Sequence, residues 1–183
     1  MKTLHRCLCW ISAAVFAAAA TPILAESLPL KVGDTAPRVA GRDQDGAKWK
    51  LKDDLGKQFV LLYFYPKDDT IGCTAEACGL RDRIGDLKQK GVAVVGVSFD
   101  SVESHKKFAF KYDLSFPLIA DTSGGIAKAY GAQADETLKI DRRVSFLIGL
   151  DGKIIHITDS PDPSAHLREM QAAIASLGAR PAP

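Results

Sequence analysis

The chain has 183 residues, 46 % of them hydrophobic, with 24 Lys and Arg against 22 Asp and Glu. That length suits one globular domain with a single buried core. The formal net charge is only +2, and two of the basic residues lie at the extreme N-terminus, so no basic face for nucleic acid or an anionic membrane is implied.

The first 25 residues read as a targeting segment. Lys2 and Arg6 precede an apolar, Ala-rich stretch from Cys7 to Ala20. Thr21-Pro22 breaks the run, and Ala25 places a small residue before Glu26. This is the layout of a secretory signal peptide, with cleavage expected near Ala25. As a membrane span the run is short, and Pro22 interrupts it. The expected mature domain is therefore 26–183, exported to the periplasm, without stable membrane association. It would carry 22 basic and 22 acidic residues. Cys7 and Cys9 would leave with the signal, so Cys73 and Cys78 are the two thiols expected in a compartment that permits disulfides. A static bridge between them would close too short a loop to remove much unfolded-state entropy.

Pro37 to Ala40 and Ala47 to Leu51 flank Asp45-Gly46 and read as a small hairpin. Gln58 to Tyr65 is a continuous β-branched and aromatic run, the mark of a strand buried on both faces. A polar loop follows, Pro66 to Gly72, then a helix predicted over Thr74 to Lys90 with Leu80, Ile84 and Leu87 on one side. Val92 to Ser98 is a second buried strand. Asp100 and Glu103 resemble a capping box opening a helix that runs to about Tyr112. Phe116 to Ala120 reads as a strand and Gly125 to Tyr130 as a brief helix. Val144 to Leu150 and Lys153 to Thr158 form a hairpin about Asp151-Gly152. The last helix opens at Asp162-Pro163, turns Leu167, Met170, Ile174 and Leu177 inward, and stops at Gly178. Strands separated by helices imply parallel pairing with right-handed crossovers, and the hairpin adds an antiparallel edge. The order fits a thioredoxin-like α/β sandwich, a central mixed sheet flanked by helices. Fold alone does not give function.

Cys73 falls where a buried strand ends, a loop turns and a helix begins. Free N–H groups and the positive dipole end at such a place favour a thiolate. An ordinary Cys titrates near ~8.5 and is only a few per cent thiolate at neutral pH. Thr70 reads either as a loop or capping residue, or as a hydroxyl within reach of the sulfur. Cys78 stands five residues on, so helical geometry separates the two Cα atoms by roughly 8–9 Å, on different faces. Disulfides need Cα atoms within about 7 Å. The pair can close only if the first helical turns unwind, which makes a poor staple and a good switch.

The stretch YPKDDTIGCTAEAC, Tyr65 to Cys78, resembles the active-site segment of peroxiredoxins, with Pro66, Thr70 and Cys73 in the pattern Pro-x-x-x-Thr-x-x-Cys. Cys78, followed by Gly79-Leu80-Arg81-Asp82, is similar to the bacterioferritin-comigratory-protein or Q-type branch. RVSFLIGLDGKI, Arg143 to Ile154, resembles the segment bearing that family's active-site arginine. The match of Arg143-Val144-Ser145-Phe146 selects Arg143 over its neighbour Arg142. Ile71 stands where members often have Pro.

The resemblance implies a thiol peroxidase acting on hydrogen peroxide and organic hydroperoxides. Cys73 would attack the peroxide and become a sulfenic acid. Cys78 would condense with it to a disulfide, and a thioredoxin-like dithiol would reset the pair. Arg143 would hold the thiolate and the departing oxygen with directional donors. Thr70 and the Cys73 N–H would orient the peroxide, and Pro66 would shield the pocket from water. The expected state is a monomer, with a weak dimer as the alternative.

Other residues read more blandly. His105, His156 and His166 lack ligand spacing with the cysteines and are expected at the surface. Lys67-Asp68-Asp69 reads as a solvated turn. Glu76 reads as a residue of the first helical turn serving the dipole, or as a partner for an arginine. No glycine-rich phosphate loop is present, so no cofactor or metal is implied. The rival function is an exported thiol–disulfide oxidoreductase, but such proteins use Cys-x-x-Cys, against which the wider gap, Thr70 and Arg143 all argue. A non-enzymatic binding module would require unreactive thiols.

Overall fold

A computed structural model describes residues 29–135 and 137–177. The expected signal segment and the stop at Gly178 lie outside them. Two strands, β1 (Ala40–Arg42) and β2 (Lys48–Lys50), pair antiparallel about Gly46. The first arm begins three residues and ends two residues later than the sequence suggests. Gly46 has φ +76°, a left-handed value that glycine adopts without steric cost.

The remaining elements are β3 (Phe59–Phe64), α1 (Ile71–Arg81), α2 (Ile84–Gln89), β4 (Val92–Ser98), α3 (Val102–Tyr112), β5 (Leu118–Ala120), α4 (Gly125–Tyr130), β6 (Gln133–Asp135), β7 (Ile140–Asp141), β8 (Val144–Ile148), β9 (Ile154–Asp159) and α5 (Pro163–Ser176). The main sheet has the order β5-β4-β3-β8-β9. Strands β3, β4 and β5 are parallel, while β8 pairs antiparallel with both β3 and β9. This is the thioredoxin-like architecture. Only β9 of the C-terminal hairpin is an edge, because fully buried β8 (VSFLI) docks beside β3 instead of at the rim. The small β6–β7 pair has no counterpart in the sequence reading; its second strand is two residues long, too short for alternation to register.

Period-2 alternation sorts the sheet residues between two cores. Leu61, Tyr63, Tyr65 and Leu147 meet α1, α2, α3 and α5 on one side, through residues such as Ala77, Leu87, Phe108 and Met170. Val60, Leu62, Phe64, Val144, Phe146 and Ile148 face Val39, Leu51 and Tyr130 on the other. Among the described residues no helix is long and apolar enough to cross a membrane.

Two helix expectations require correction. Residues 71–89 form two helices, not one. Helix α1 starts three residues earlier than expected and ends at Arg81, where Arg83 Nη1 donates to the Gly79 carbonyl at 2.8 Å before α2 begins. Helix α3 is capped by Ser101, whose Oγ accepts from Ser104 N at 3.2 Å. Asp100 serves the loop before α1 instead, accepting from Asp68 N at 2.9 Å and Ser98 Oγ at 2.8 Å. Helix α5 opens as expected, with Asp162 accepting from Ser164 N and Pro163 in the first turn.

Candidate active site

The early start of α1 places Cys73 third in the helix, within its first turn. The first intrahelical bond is Thr74 N to Thr70 O at 2.8 Å, so the amides of residues 71–73 point forward without a helical acceptor. Cys73 is 1 % exposed and reduced; Cys78, partly exposed, is also a free thiol. Both sit in one continuous helix, which keeps them apart as the sequence argument requires.

Arg143, immediately before β8, converges on Cys73 from the sheet. Its Nη2 donates to Cys73 Sγ at 3.3 Å, Nη1 donates to Glu76 Oε2, and Nε donates to the Pro161 carbonyl at 3.3 Å. Strand alternation explains why residue 143 and not 142 reaches the thiol. Arg143, Ser145 and Leu147 share the face beneath α1 and α5, whereas Arg142 lies on the other side and pairs with Asp159 at 2.6 Å. Gly72 clears the approach, since a Cβ there would stand 3.1 Å from Nη2.

Glu76 follows Cys73 by one helical turn and is fully buried. Burial pushes its carboxyl up to about 7, against the opposing pull of Arg143. Its second oxygen, Oε1, lies 3.6 Å from His166 Nδ1. His166 is 2 % exposed, with Nδ1 2.7 Å from Ser145 Oγ and Nε2 2.8 Å from the Ser160 carbonyl. Burial holds this imidazole below its ordinary value, and the charge of Arg143 adds to the effect. His166 is therefore not a surface residue.

His105 is not one either. It is fully buried, with Nδ1 2.9 Å from Asp68 Oδ2. Asp68 is itself only 8 % exposed, and also accepts from Tyr65 Oη and Ser104 Oγ, each at 2.7 Å. The turn at 67–69 is thus solvated only in part. Asp68 pins it to α3 from the inside, while Asp69 takes Lys111 Nζ at 2.8 Å and Tyr112 Oη at 2.6 Å outside. These anchors fix the loop carrying Pro66 and Thr70. His156 is half-buried on β9.

Thr70 occupies the cap position of α1, yet its hydroxyl donates to the Lys67 carbonyl at 3.1 Å and makes no capping bond. The hydroxyl hydrogen is spent on the loop, so only the oxygen's lone pairs are offered outward. Ile71, the departure from the family pattern, is 94 % exposed beside this cap. Pro66 is half-buried where β3 leaves the sheet.

A thiol in the first turn of a helix, with an arginine aimed at its sulfur, is an arrangement found along a recognisable sequence. Residues 32–157 match the model of the AhpC/TSA family. The chain belongs to that family. It is 43 % identical to peroxiredoxin Bcp of Escherichia coli over 143 residues, covering 75 % of this chain and 91 % of that protein. With the chloroplastic peroxiredoxin Q of Sedum lineare the identity is 35 % over 168 residues, 90 % of each chain. Among solved structures, peroxidoxin BcpB of Mycobacterium tuberculosis superposes with a TM-score of 0.76 at 31 % identity, over 81 % of this chain and 98 % of that one. The relatives place the chain in the Bcp/Q branch of the peroxiredoxins, and it is a thiol peroxidase. Of the residues that the sequence singles out, the structure brings Arg143 onto Cys73, holds Thr70 and Pro66 in the loop before α1, and keeps Cys78 in the same helix as Cys73. The sequence reading puts His166 at the surface and gives Ser145 no role, although Ser145 lies two residues from Arg143 and so on the same strand face.

Proposed function

We propose that the chain reduces hydrogen peroxide and organic hydroperoxides by a two-cysteine cycle in which Cys73 is the attacking group. The observation that carries this reading is the guanidinium of Arg143 on Cys73 Sγ. A fixed cation with directional donors stabilises the thiolate, and then the charge developing on the oxygen that leaves. Thiolate sulfur attacks the terminal peroxide oxygen; an S–O bond forms as the O–O bond breaks, and the departing alkoxide or hydroxide takes a proton. Cys73 becomes a sulfenic acid. Thr70 accepts the O–H of the bound peroxide, its own hydrogen being committed to Lys67. The Cys73 N–H donates to the peroxide, and Pro66 screens the pocket.

Cys78 closes the cycle. Its sulfur attacks the sulfenic sulfur, an S–S bond forms, and the oxygen departs as water. Both cysteines lie in α1, so this step requires the first turns of the helix to unwind. An external thioredoxin-like dithiol then reduces the bridge. The basic, apolar N-terminus supports export to the periplasm with cleavage near Ala25, leaving the domain 26–183.

The test is a stopped-flow measurement of Cys73 oxidation by hydrogen peroxide and by an organic hydroperoxide, with Cys73→Ser as reference. Rapid consumption lost in that variant is expected. Activity surviving Cys73→Ser would remove the assignment.

A further inference from the structure

Behind Arg143 lies a chain of buried polar groups that the peroxide chemistry does not itself require. Glu76 Oε2 holds Arg143, while Oε1 has no hydrogen-bond partner among the described residues and faces His166 Nδ1 at 3.6 Å. One side of that imidazole is fixed. Nε2 lies 2.8 Å from the Ser160 carbonyl, which only accepts, so Nε2 carries hydrogen in either charge state. Any change of charge on His166 therefore occurs at Nδ1, the nitrogen between Ser145 Oγ and Glu76 Oε1.

With Nδ1 bare, Ser145 donates to it, and the carboxylate oxygen of Glu76 confronts a nitrogen lone pair. A single proton shared between Glu76 and His166 removes the conflict, whichever of the two holds it. An orphaned acceptor in a buried site is costly, so the proton is bound tightly there. We infer that His166 is a positioning residue of the peroxidase, setting through Glu76 how the guanidinium of Arg143 is held against Cys73. The inference rests on the reading of Cys73 as the peroxide-attacking thiol.

The charged and titratable groups around the pair come from every neighbouring element. Arg143 precedes β8, Cys73 is in α1 and Tyr63 in β3, and Asp159 of β9 and Glu169 of α5 act on His166. The raised carboxyl of Glu76 and the lowered imidazole of His166 bring the two groups toward the same pH range. Oxidation of Cys73 should therefore respond to a proton near neutrality that belongs to neither thiol nor peroxide.

The experiment measures the rate of Cys73 oxidation against pH in wild type, His166→Gln, His166→Asn, Glu76→Gln and the His166→Gln/Glu76→Gln double variant. Gln can keep the donor to Ser160 while losing the titrating nitrogen; Asn can keep a polar atom near Nδ1. The expected result is a roughly ten- to hundredfold slower oxidation in His166→Gln, the scale of a misaimed catalytic group, with a displaced pH midpoint. His166→Asn should recover part of the rate. In the Glu76→Gln background His166→Gln should add little, since the two act in series. Wild-type rate and midpoint in His166→Gln, or an effect fully additive with Glu76→Gln, would overturn the inference while leaving the role of Cys73 intact. A wild-type Cys73 inert to peroxide would instead remove the underlying reading and the inference with it.

Discussion

Gly72 leaves the space that Arg143 occupies: a methyl group at residue 72 would stand 3.1 Å from the guanidinium nitrogen that donates to Cys73 Sγ, and 3.4 Å from Pro163 Cγ. The smallest residue thus stands where the arginine crosses the helix start. Gly72→Ala should have opposite effects on stability and rate. The helix gains up to about 1 kcal/mol in propensity, so the melting temperature should hold or rise. Oxidation of Cys73 should slow about tenfold as the guanidinium is pushed aside. Gly72→Val should slow it further. Thermal unfolding and stopped-flow rates on the same preparations check both signs, and an alanine variant oxidising at the wild-type rate would show that the arginine yields freely.

The two neighbouring arginines should separate cleanly. Arg143→Lys keeps the charge but loses the fork that reaches Cys73, Glu76 and Pro161 together. Loss of such a donor set costs on the order of 2–4 kcal/mol in the transition state, or roughly 30- to 1,000-fold in rate. Arg142→Lys alters a partly exposed pair with Asp159 and should leave the rate within about twofold. The comparison is a pair of peroxide-oxidation rate constants, and the reverse ranking would reassign the arginine.

Redox state should be written in the first turns of α1. Reduced protein has the helix intact from Ile71 to Arg81, whereas a Cys73–Cys78 bridge requires those turns to open. Amides of residues 74–80 should exchange faster in the oxidised form, and that form should melt at a lower temperature. In Cys78→Ser the first oxidation should proceed, but the sulfenic acid should persist and pass to sulfinic acid under excess peroxide. Hydrogen exchange with mass-spectrometric confirmation of the bridge decides it. Equal protection in the two states would contradict the opening.

Asp141 gives a pH prediction remote from the thiols. It is 1 % exposed, and neither carboxylate oxygen has a partner among the described residues. Burial pushes its carboxyl up to about 8, with Asp121 and Asp100 adding to the rise. An acid whose folded value exceeds its unfolded one binds a proton more tightly when folded. Its stabilising contribution is therefore complete below about pH 4 and is lost as pH climbs towards 8. Asp141→Asn should flatten this part of the stability curve. At pH 8.5 the variant should melt several degrees above wild type, at ~2–4 °C per kcal/mol. Parallel melting curves from pH 5 to 8.5 would show that Asp141 does not titrate as stated.

What the chain determines by itself is local. Continuous apolar runs at Gln58 to Tyr65 and Val92 to Ser98 mark strands buried on both faces, because a sheet covered on each side has no polar face to alternate with. Pro66-x-x-x-Thr70-x-x-Cys73 and the segment opening at Arg143 point to candidate site residues through their resemblance to peroxiredoxin segments. The choice of Arg143 over Arg142 rests in the sequence on the likeness of Arg143-Val144-Ser145-Phe146 to the family segment; only the structure, where Val144 and Phe146 join one core, shows that Arg143 and Ser145 face the other. Tertiary structure decided what depends on distant partners. His105 stands three and four residues before Phe108 and Ala109, and His166 four and eight before Met170 and Ile174, so helical spacing puts both on inward faces. Their polar side chains read as surface residues until Asp68 and Glu76, 37 and 90 positions away in the chain, stand beside them as buried neighbours. Asp68 looks solvated in a run of charges until α3 supplies His105 and Ser104. The break at Asp82-Arg83 is equally invisible, because both halves keep helical spacing and no glycine or proline interrupts them there. Local motifs supply the candidate site residues; the sheet and α5, packed about α1, decide how the arginine is aimed, because those contacts join residues far apart in the chain.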